Sequence, residues 1–218
     1  VLVHPSFRGR GIGTELIRRV EAYLQSLSVA RLLAGPARGL DPFYFGIYGG
    51  CRPSGFLLSD PLAHPFFTKL GYSESARHGV FERDLRVPRD PTNMRSINIR
   101  RLTELEVLEG SEAPNWWWFT HLGKTDAIRY RLKMKRTGET IATINAVPLD
   151  HYTDVWAEHS VGIVDMRVSD AYQGQGYGQT LLIEVVKLLR KDRFERAEMT
   201  APESNPKAVR LLTGAGFI

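Results

Sequence analysis

The sequence has one cysteine, Cys51, among 218 residues, so it can form neither an intrachain disulfide nor a multi-cysteine metal site. A lone thiol in a glycine-rich stretch fits a reducing compartment, and a cytoplasmic location is expected. No apolar run approaches the roughly 18–20 residues needed to cross a bilayer. The most apolar-looking stretch, Trp116-Trp117-Trp118-Phe119, is soon followed by His121 and Lys124. The first residues show no signal-peptide pattern, and no membrane partner is expected. His4, His64, His121 and His159 each stand alone. Without metal-ligand spacing, no metal is expected. The net charge is +5, which suits anionic ligands. The basic residues form no tract, however, which argues against a nucleic-acid partner.

Glycine, by contrast, is present in a pattern that occurs twice. Arg8-Gly9-Arg10-Gly11-Ile12-Gly13 aligns with Gln173-Gly174-Gln175-Gly176-Tyr177-Gly178 at every glycine. The flanks align too: Val3 with Val168, Phe7 with Tyr172, and Leu16-Ile17 with Leu181-Leu182. A second pair follows in the same order, "DPLAHPFFTKLGY" (60–72) over "NPKAVRLLTGAGF" (205–217). Two matches in order indicate a tandem duplication, its period far too long for a solenoid.

The prolines and charges of "RVPRDPTNMRS" (86–96) read as a linker. The expected division is therefore 1–88, a linker at 89–96, and 97–218. In the second part, Ile97–Arg100 alternates like a strand, and Leu102, Leu105 and Leu108 follow helical spacing. Asn115–Leu122 reads as a further helix, and Ile128–Met134 and Thr140–Ile144 as a hairpin. Val161–Val168 reads as a strand, followed by the second loop, its helix, the strand "RAEMTA" (196–201) and a last helix. In the first part, Ala30–Gly39, Tyr72–Arg77 and Val80–Leu85 are candidate strands.

Each glycine loop precedes a helix with one apolar stripe. The stripes are Leu16, Ile17, Val20 and Leu24 in the first, and Leu181, Leu182, Val185, Val186 and Leu189 in the second. A helix packed in this way leaves its N-terminal N–H groups open, and the helix dipole adds about half a positive charge there. Glycines let the backbone approach a ligand closely. The result is an anion site suited to a diphosphate. No Gly-Lys-Ser/Thr ending is present, and the Gly-x-Gly-x-Gly spacing differs from the dinucleotide fingerprint. A tight turn that holds no ligand remains the alternative.

"VHPSFRGRGIGTELI" and "VSDAYQGQGYGQTLL" resemble the acetyl-CoA signature of the GNAT superfamily of N-acetyltransferases. "NPKAVRLLTGAGF" and "DPLAHPFFTKLGY" resemble that family's later motif. The resemblance implies an α/β fold: two domains, each a splayed mixed sheet flanked by helices, with acetyl-CoA entering the splay. It implies cofactor contacts from Gln173, Gly174, Gln175, Gly176, Tyr177, Gly178 and Gln179, from the backbone of Met166, Arg167 and Val168, and from Asn205. The first copy would offer Val3 and Arg8, Gly9, Arg10, Gly11, Ile12, Gly13 and Thr14, with Asp60 in place of the asparagine. It also implies a tyrosine acid in the later motif, where this sequence has Leu212 and Phe67.

Acyl transfer to an amine needs a base. Glu198 is the first candidate, set against the alternative of a solvated carboxylate. Asp165 is the second, set against a structural hydrogen-bonding role. Only the second copy has Glu198, so it is the expected catalytic one. The insertion at 40–60, with Tyr44 and Tyr48, could serve as a lid, an acceptor pocket or an interdomain contact. "NWWWF" (115–119) could form an acceptor wall or a core. The expected function is acetyl-CoA-dependent N-acetylation of a small-molecule or peptide amine by direct attack. The alternative is a non-catalytic acyl-CoA-binding regulatory or interaction protein. The early strands of the first copy and the late strands of the second are missing from the sequence. The halves are therefore expected to be a fragment, or to complement each other within a chain or in a homo-oligomer.

Overall fold

The computed structural model describes residues 3–34, 43–45, 51–53, 56–109, 127–150, 153 and 156–218. The chain divides into two compact units, Val1–Asp41 with Ser54–Ser75 and Pro42–Pro53 with Ala76–Ile218. Tyr48, the Asn115–Leu122 helix and the side chains of Tyr44 and Cys51 lie outside the described residues.

The first unit has a 3-10 turn at Pro5–Phe7, helix α1 (Ile12–Ser26) and helix α2 (Ala63–Lys69). Phe56, Phe66 and Tyr72 cluster around Phe67, with ring centroids 4.6–5.5 Å apart. The Tyr72 hydroxyl donates to Glu21 Oε1 at 2.7 Å. Burial and the Glu21 carboxylate push this phenol up to about 12. Ala30–Ala34 and Tyr72–Arg77 form no strand. The reading of both stretches as strands is thus corrected, and the rest of Ala30–Gly39 lies outside the described residues.

The second unit includes a two-stranded ribbon of β1 (Phe43–Phe45) and β2 (Cys51–Pro53). Its main sheet is built from β3 (His78–Asp84), β4 (Thr103–Glu109), β5 (Ile128–Met134), β6 (Thr140–Pro148), β7 (Ser160–Val168) and β8 (Arg196–Pro202). The six strands lie in the order β3-β8-β7-β6-β5-β4. All neighbours are antiparallel except β7 and β8, which are parallel. Among the described residues, three helices accompany the sheet: α3 (Met94–Leu102), α4 (Tyr177–Lys191) and α5 (Pro206–Gly214).

Two assignments near residue 100 are reversed. Ile97–Arg100 lies inside α3, not in a strand. A four-residue alternation is too short to fix a period, and Asn93 with Ser96 forms a reciprocal capping box that starts a helix. Leu102 ends that helix, while Leu105 and Leu108 lie in β4. Charge complementarity favours the strand: Glu104 and Glu106 stand opposite Lys133 and Arg131 of β5, and Lys133 Nζ reaches Glu106 Oε1 at 3.3 Å.

The core contains the α4 stripe Leu181, Leu182, Val185, Val186 and Leu189, packed with Tyr130, Leu132, Ile141 and Ile163 of the sheet. β3, assigned by sequence to the first copy, pairs with β8 along its whole length, from His78 opposite Pro202 to Asp84 opposite Arg196. Its Glu82 also exchanges two backbone hydrogen bonds of 2.9 Å with Ile218.

Candidate active site

β7 leads into a 3-10 turn at Asp170–Tyr172, then the second glycine loop, then α4. Gly174 and Gly176 have φ of 71° and 90°, in the left-handed region that glycine tolerates best. Gly176 caps α4 without a side-chain hydrogen bond, and no acidic residue occupies the first turn. The open N–H groups at this end therefore keep their pull on an anion.

The glutamines of the loop brace it from within. Gln173 Nε2 donates to Val168 O at 3.1 Å and to Asp170 Oδ1 at 2.7 Å, and Gln175 Nε2 donates to Ala171 O at 2.7 Å. Gln179 donates to Gly214 O, tying α4 to the end of α5. Tyr177 stacks edge-on against Tyr172 at 5.3 Å. Gly178 is hemmed in by three side chains: a Cβ there would meet Met166 Cε at 2.9 Å, Leu211 Cδ1 at 3.0 Å and Val168 Cγ2 at 3.1 Å. The end of β7, the start of α4 and the face of α5 thus converge on one atom-sized gap. Asn205 caps α5, its Oδ1 accepting from Ala208 N at 3.1 Å.

The first loop reproduces this geometry. Gly9 and Gly11 have φ of 75° and 79°. Arg8 Nε donates to Val3 O at 3.1 Å, the counterpart of the bond from Gln173 to Val168. A Cβ on Gly13 would meet Phe66 at 3.3 Å and Val3 at 3.7 Å. Tyr72 N donates to Phe67 O at 3.1 Å, and Phe217 N donates to Leu212 O at 3.1 Å. Asp60 Oδ1 accepts from Leu62 N at 2.9 Å. Two differences matter. Arg10 lies over the Phe7 ring at 5.4 Å. Ile12, Leu16 and Val20 of α1 are exposed, whereas Tyr177, Leu181 and Val185 of α4 are buried.

A gap opens in the main sheet beside the second loop. The β7–β8 ladder covers only Ser160–Gly162 against Arg196–Glu198. β7 continues to Val168 and β8 to Pro202 without further mutual pairing. Past Gly162, β7 therefore offers its β8-side N–H and C=O groups to whatever enters. A register shift against β6 between Thr143 and Asn145 rephases β7 here. Asp165 takes φ of 51° within that irregularity. As a result, Met166 and Val168 point to the Gly178 side.

Glu198 stands at the last rung of that ladder and is 6 % exposed. Its neighbours Ala197 and Ala201 belong to the core cluster, so Glu198 lies on the opposite face. The directly opposed Glu82 is drawn off by Arg196, which also holds Glu158 at 2.6 Å. That hydrogen bond keeps the Glu158 carboxyl below its ordinary range. Asp165 is otherwise engaged: its Oδ1 accepts from Arg167 Nε at 2.8 Å and its Oδ2 from Asn145 Nδ2 at 3.5 Å. Leu212 is buried in the core, and Phe67 sits in the aromatic cluster.

Sequence reading missed Arg95 by placing it in a linker. On α3 its Cδ would be 2.8 Å from a Cβ on Gly176. The Asn93–Ser96 capping box was the legible signal that a helix begins there. A cavity of about 650 Å³ lies elsewhere, lined by Arg83, Arg89, Asp90 and Gly216 among others, and contains none of the candidate site residues. Among the described residues no cluster of three or more His, Cys, Asp or Glu could hold a metal, and no helix is long and apolar enough to cross a membrane.

The profile of the acetyltransferase (GNAT) family matches residues 1–44 and 93–217. No curated protein matches the sequence. Solved structures resemble it at low identity. A glucosamine N-acetyltransferase region of a fungal multi-domain GH3 β-N-acetylglucosaminidase aligns with TM-score 0.64 and 16 % identity over 91 % of this chain. The chain spans only 26 % of that protein. A tandem GNAT protein from the clavulanic acid biosynthesis pathway aligns with TM-score 0.58 and 16 % identity, over 99 % of this chain and 69 % of that one. A GCN5-related N-acetyltransferase from Sphaerobacter thermophilus gives 0.57 and 16 %, over 99 % and 67 %. These likenesses concern the fold.

Proposed function

Because the chain belongs to the acetyltransferase (GNAT) family, we propose that it transfers an acetyl group from acetyl-CoA to an amine by direct attack, in the second of two tandem copies. The observation that carries this reading is the buried Glu198 at the rung where β7 and β8 part, at the closed end of a gap at whose other end β7 leads into a glycine-rich anion cradle. The glycine positions fit the cofactor: the loop keeps its open N–H groups, and a side chain at Gly178 would crowd both the strand and the helix that shape the gap. The loop backbone from Gln173 to Gln179 would hold the diphosphate, the Met166–Val168 backbone the pantetheine, and Asn205 would stand near its end. Bound acetyl-CoA would supply a thioester carbonyl open to a nucleophile.

In this reading Glu198 takes the proton of the attacking amine, directly or through one water. The amine nitrogen forms the bond to the acetyl carbon, the carbon–sulfur bond breaks, and the thiolate is protonated by solvent. Leu212 and Phe67 have no proton to give, so the family's tyrosine acid is absent at both positions. Asp165 has a positioning role, holding Arg167 and Asn145 at the bulge. The acceptor is a small-molecule or peptide amine, and the first copy binds cofactor weakly or serves as scaffold.

The test is turnover of acetyl-CoA with a panel of amines, followed by released thiol. Glu198→Gln should lower kcat about 10²–10⁴-fold and remove the acidic limb of the pH profile. Unchanged turnover and profile would sink the assignment of Glu198. The second reading, a non-catalytic acyl-CoA-binding protein, is favoured by Leu212 and Phe67 at the tyrosine positions. Tight CoA binding without acceptor-dependent thiol release would establish it instead.

A further inference from the structure

We propose that Arg95 is the cation of the second cradle and binds the diphosphate of CoA there. This rests on the acetyl-CoA reading above and extends it to a residue outside the family motifs. Ile99 is 5 % exposed and fixes which face of α3 turns inward. Arg95 lies one turn earlier on that same face. Its stem lies across Gly176, the residue that caps α4, with Cγ at 3.4 Å and Ile99 Cδ1 at 3.5 Å from the Cβ that glycine lacks. The φ of 90° calls for glycine here, and the Arg95 stem fills the space that its missing side chain leaves.

The charges point the same way. Stability alone favours carboxylates, not guanidinium groups, at a helix N-terminus. Here an exposed arginine stands at the positive end of α4, whose first turn contains no acid. Among the described residues the Arg95 side chain has no hydrogen-bonding or ion-pair partner. Arg100 of the same helix is engaged with Glu184 at 2.6 Å, and Arg167 of β7 with Asp165 at 2.8 Å. The two loops also differ in a complementary way. The first carries its own cations, Arg8 and Arg10, where the second has Gln173 and Gln175. The second thus has no charge of its own, and α3 brings one to it.

The experiment is a calorimetric titration of the full chain with CoA and with 3′-dephospho-CoA. An Arg8→Glu/Arg10→Glu background silences the first loop. In it, Arg95→Ala should weaken both ligands alike, roughly tenfold or more, and Arg95→Lys should recover part of the loss. The difference should shrink in high salt. Undiminished CoA affinity in Arg95→Ala, a loss confined to CoA, or an equal loss at low and high salt would each overturn the assignment. If the background protein itself binds no CoA, the acetyl-CoA reading of the second copy fails, a result distinct from any failure at Arg95.

Discussion

Arg83, on β3, is 4 % exposed and carries a full charge into the second unit. One carboxylate makes that tolerable. Asp90 pairs with Arg83 and accepts from Arg190 Nη1 at 3.0 Å and Nη2 at 2.9 Å. Arg83 also donates to Ala215 O, and Arg190 to Leu85 O at 2.8 Å. Removing Asp90 leaves two guanidinium groups facing each other with no counter-charge. Asp90→Ala should therefore cost about 3–5 kcal/mol in urea unfolding. Burial by itself would raise the Asp90 carboxyl, but Arg190 and Arg83 outweigh it and hold it below its ordinary value. The unfolded chain thus takes up this proton first as the pH falls. The stabilisation is complete above the ordinary aspartate pKa of about 4 and is lost as pH falls through the depressed value. The stabilities of Asp90→Asn and the parent chain should converge in acid; a constant gap down to the lowest measurable pH would refute the linkage. Nothing local announces this network, because Arg190 lies 100 residues from Asp90. The glycine loops were legible because their information lies within six consecutive residues. Arg95 was not, since its significance comes from Gly176 across the fold.

At the level of elements, the two loops share a shape but differ in what surrounds them. Around Gly178 three side-chain atoms lie within 2.9–3.1 Å of the missing Cβ, from β7 and from α5. Around Gly13 the nearest atom is on the Phe66 ring at 3.3 Å. Gly178→Ala should therefore destabilise by about 1–3 kcal/mol through overpacking and weaken CoA binding by closing the gap between strand and helix. Gly13→Ala should cost clearly less. Chemical denaturation of the two variants compares them directly, and equal losses would contradict the packing argument. Strands with long, clean alternation, such as Ile128–Met134, were readable in advance. The reversal of α3 and β4 shows where that method stops. Leu102, Leu105 and Leu108 have helical spacing, but Glu104 and Glu106 meet Lys133 and Arg131 only once β5 lies alongside. Tertiary charge pairing outweighs a short local period.

For the whole molecule, the decisive feature is the position of β3. Its position before the linker at 89–96 assigns it to the first copy, yet it forms a seven-residue antiparallel ladder with β8. The next residue, Leu85, is fully buried and belongs to the core cluster. A fragment cut at the motif boundary, 97–218, would lose this partner, the Asn93 cap of α3, Arg95 and the Asp90 carboxylate. Its β8 would become a bare edge beside a gap, a template for association with other chains. A fragment beginning at residue 76 keeps all of these. It omits the ribbon of β1 and β2, but among the described residues those strands pair only with each other. Fragment 76–218 should be monomeric, unfold in one cooperative step and keep the CoA affinity proposed for the second cradle. Fragment 97–218 should associate or unfold with a weaker, broader transition. Size-exclusion chromatography and circular dichroism on the pair decide the matter. If 97–218 proved monomeric and as stable as 76–218, β3 would be an accessory to the second unit and not part of its fold.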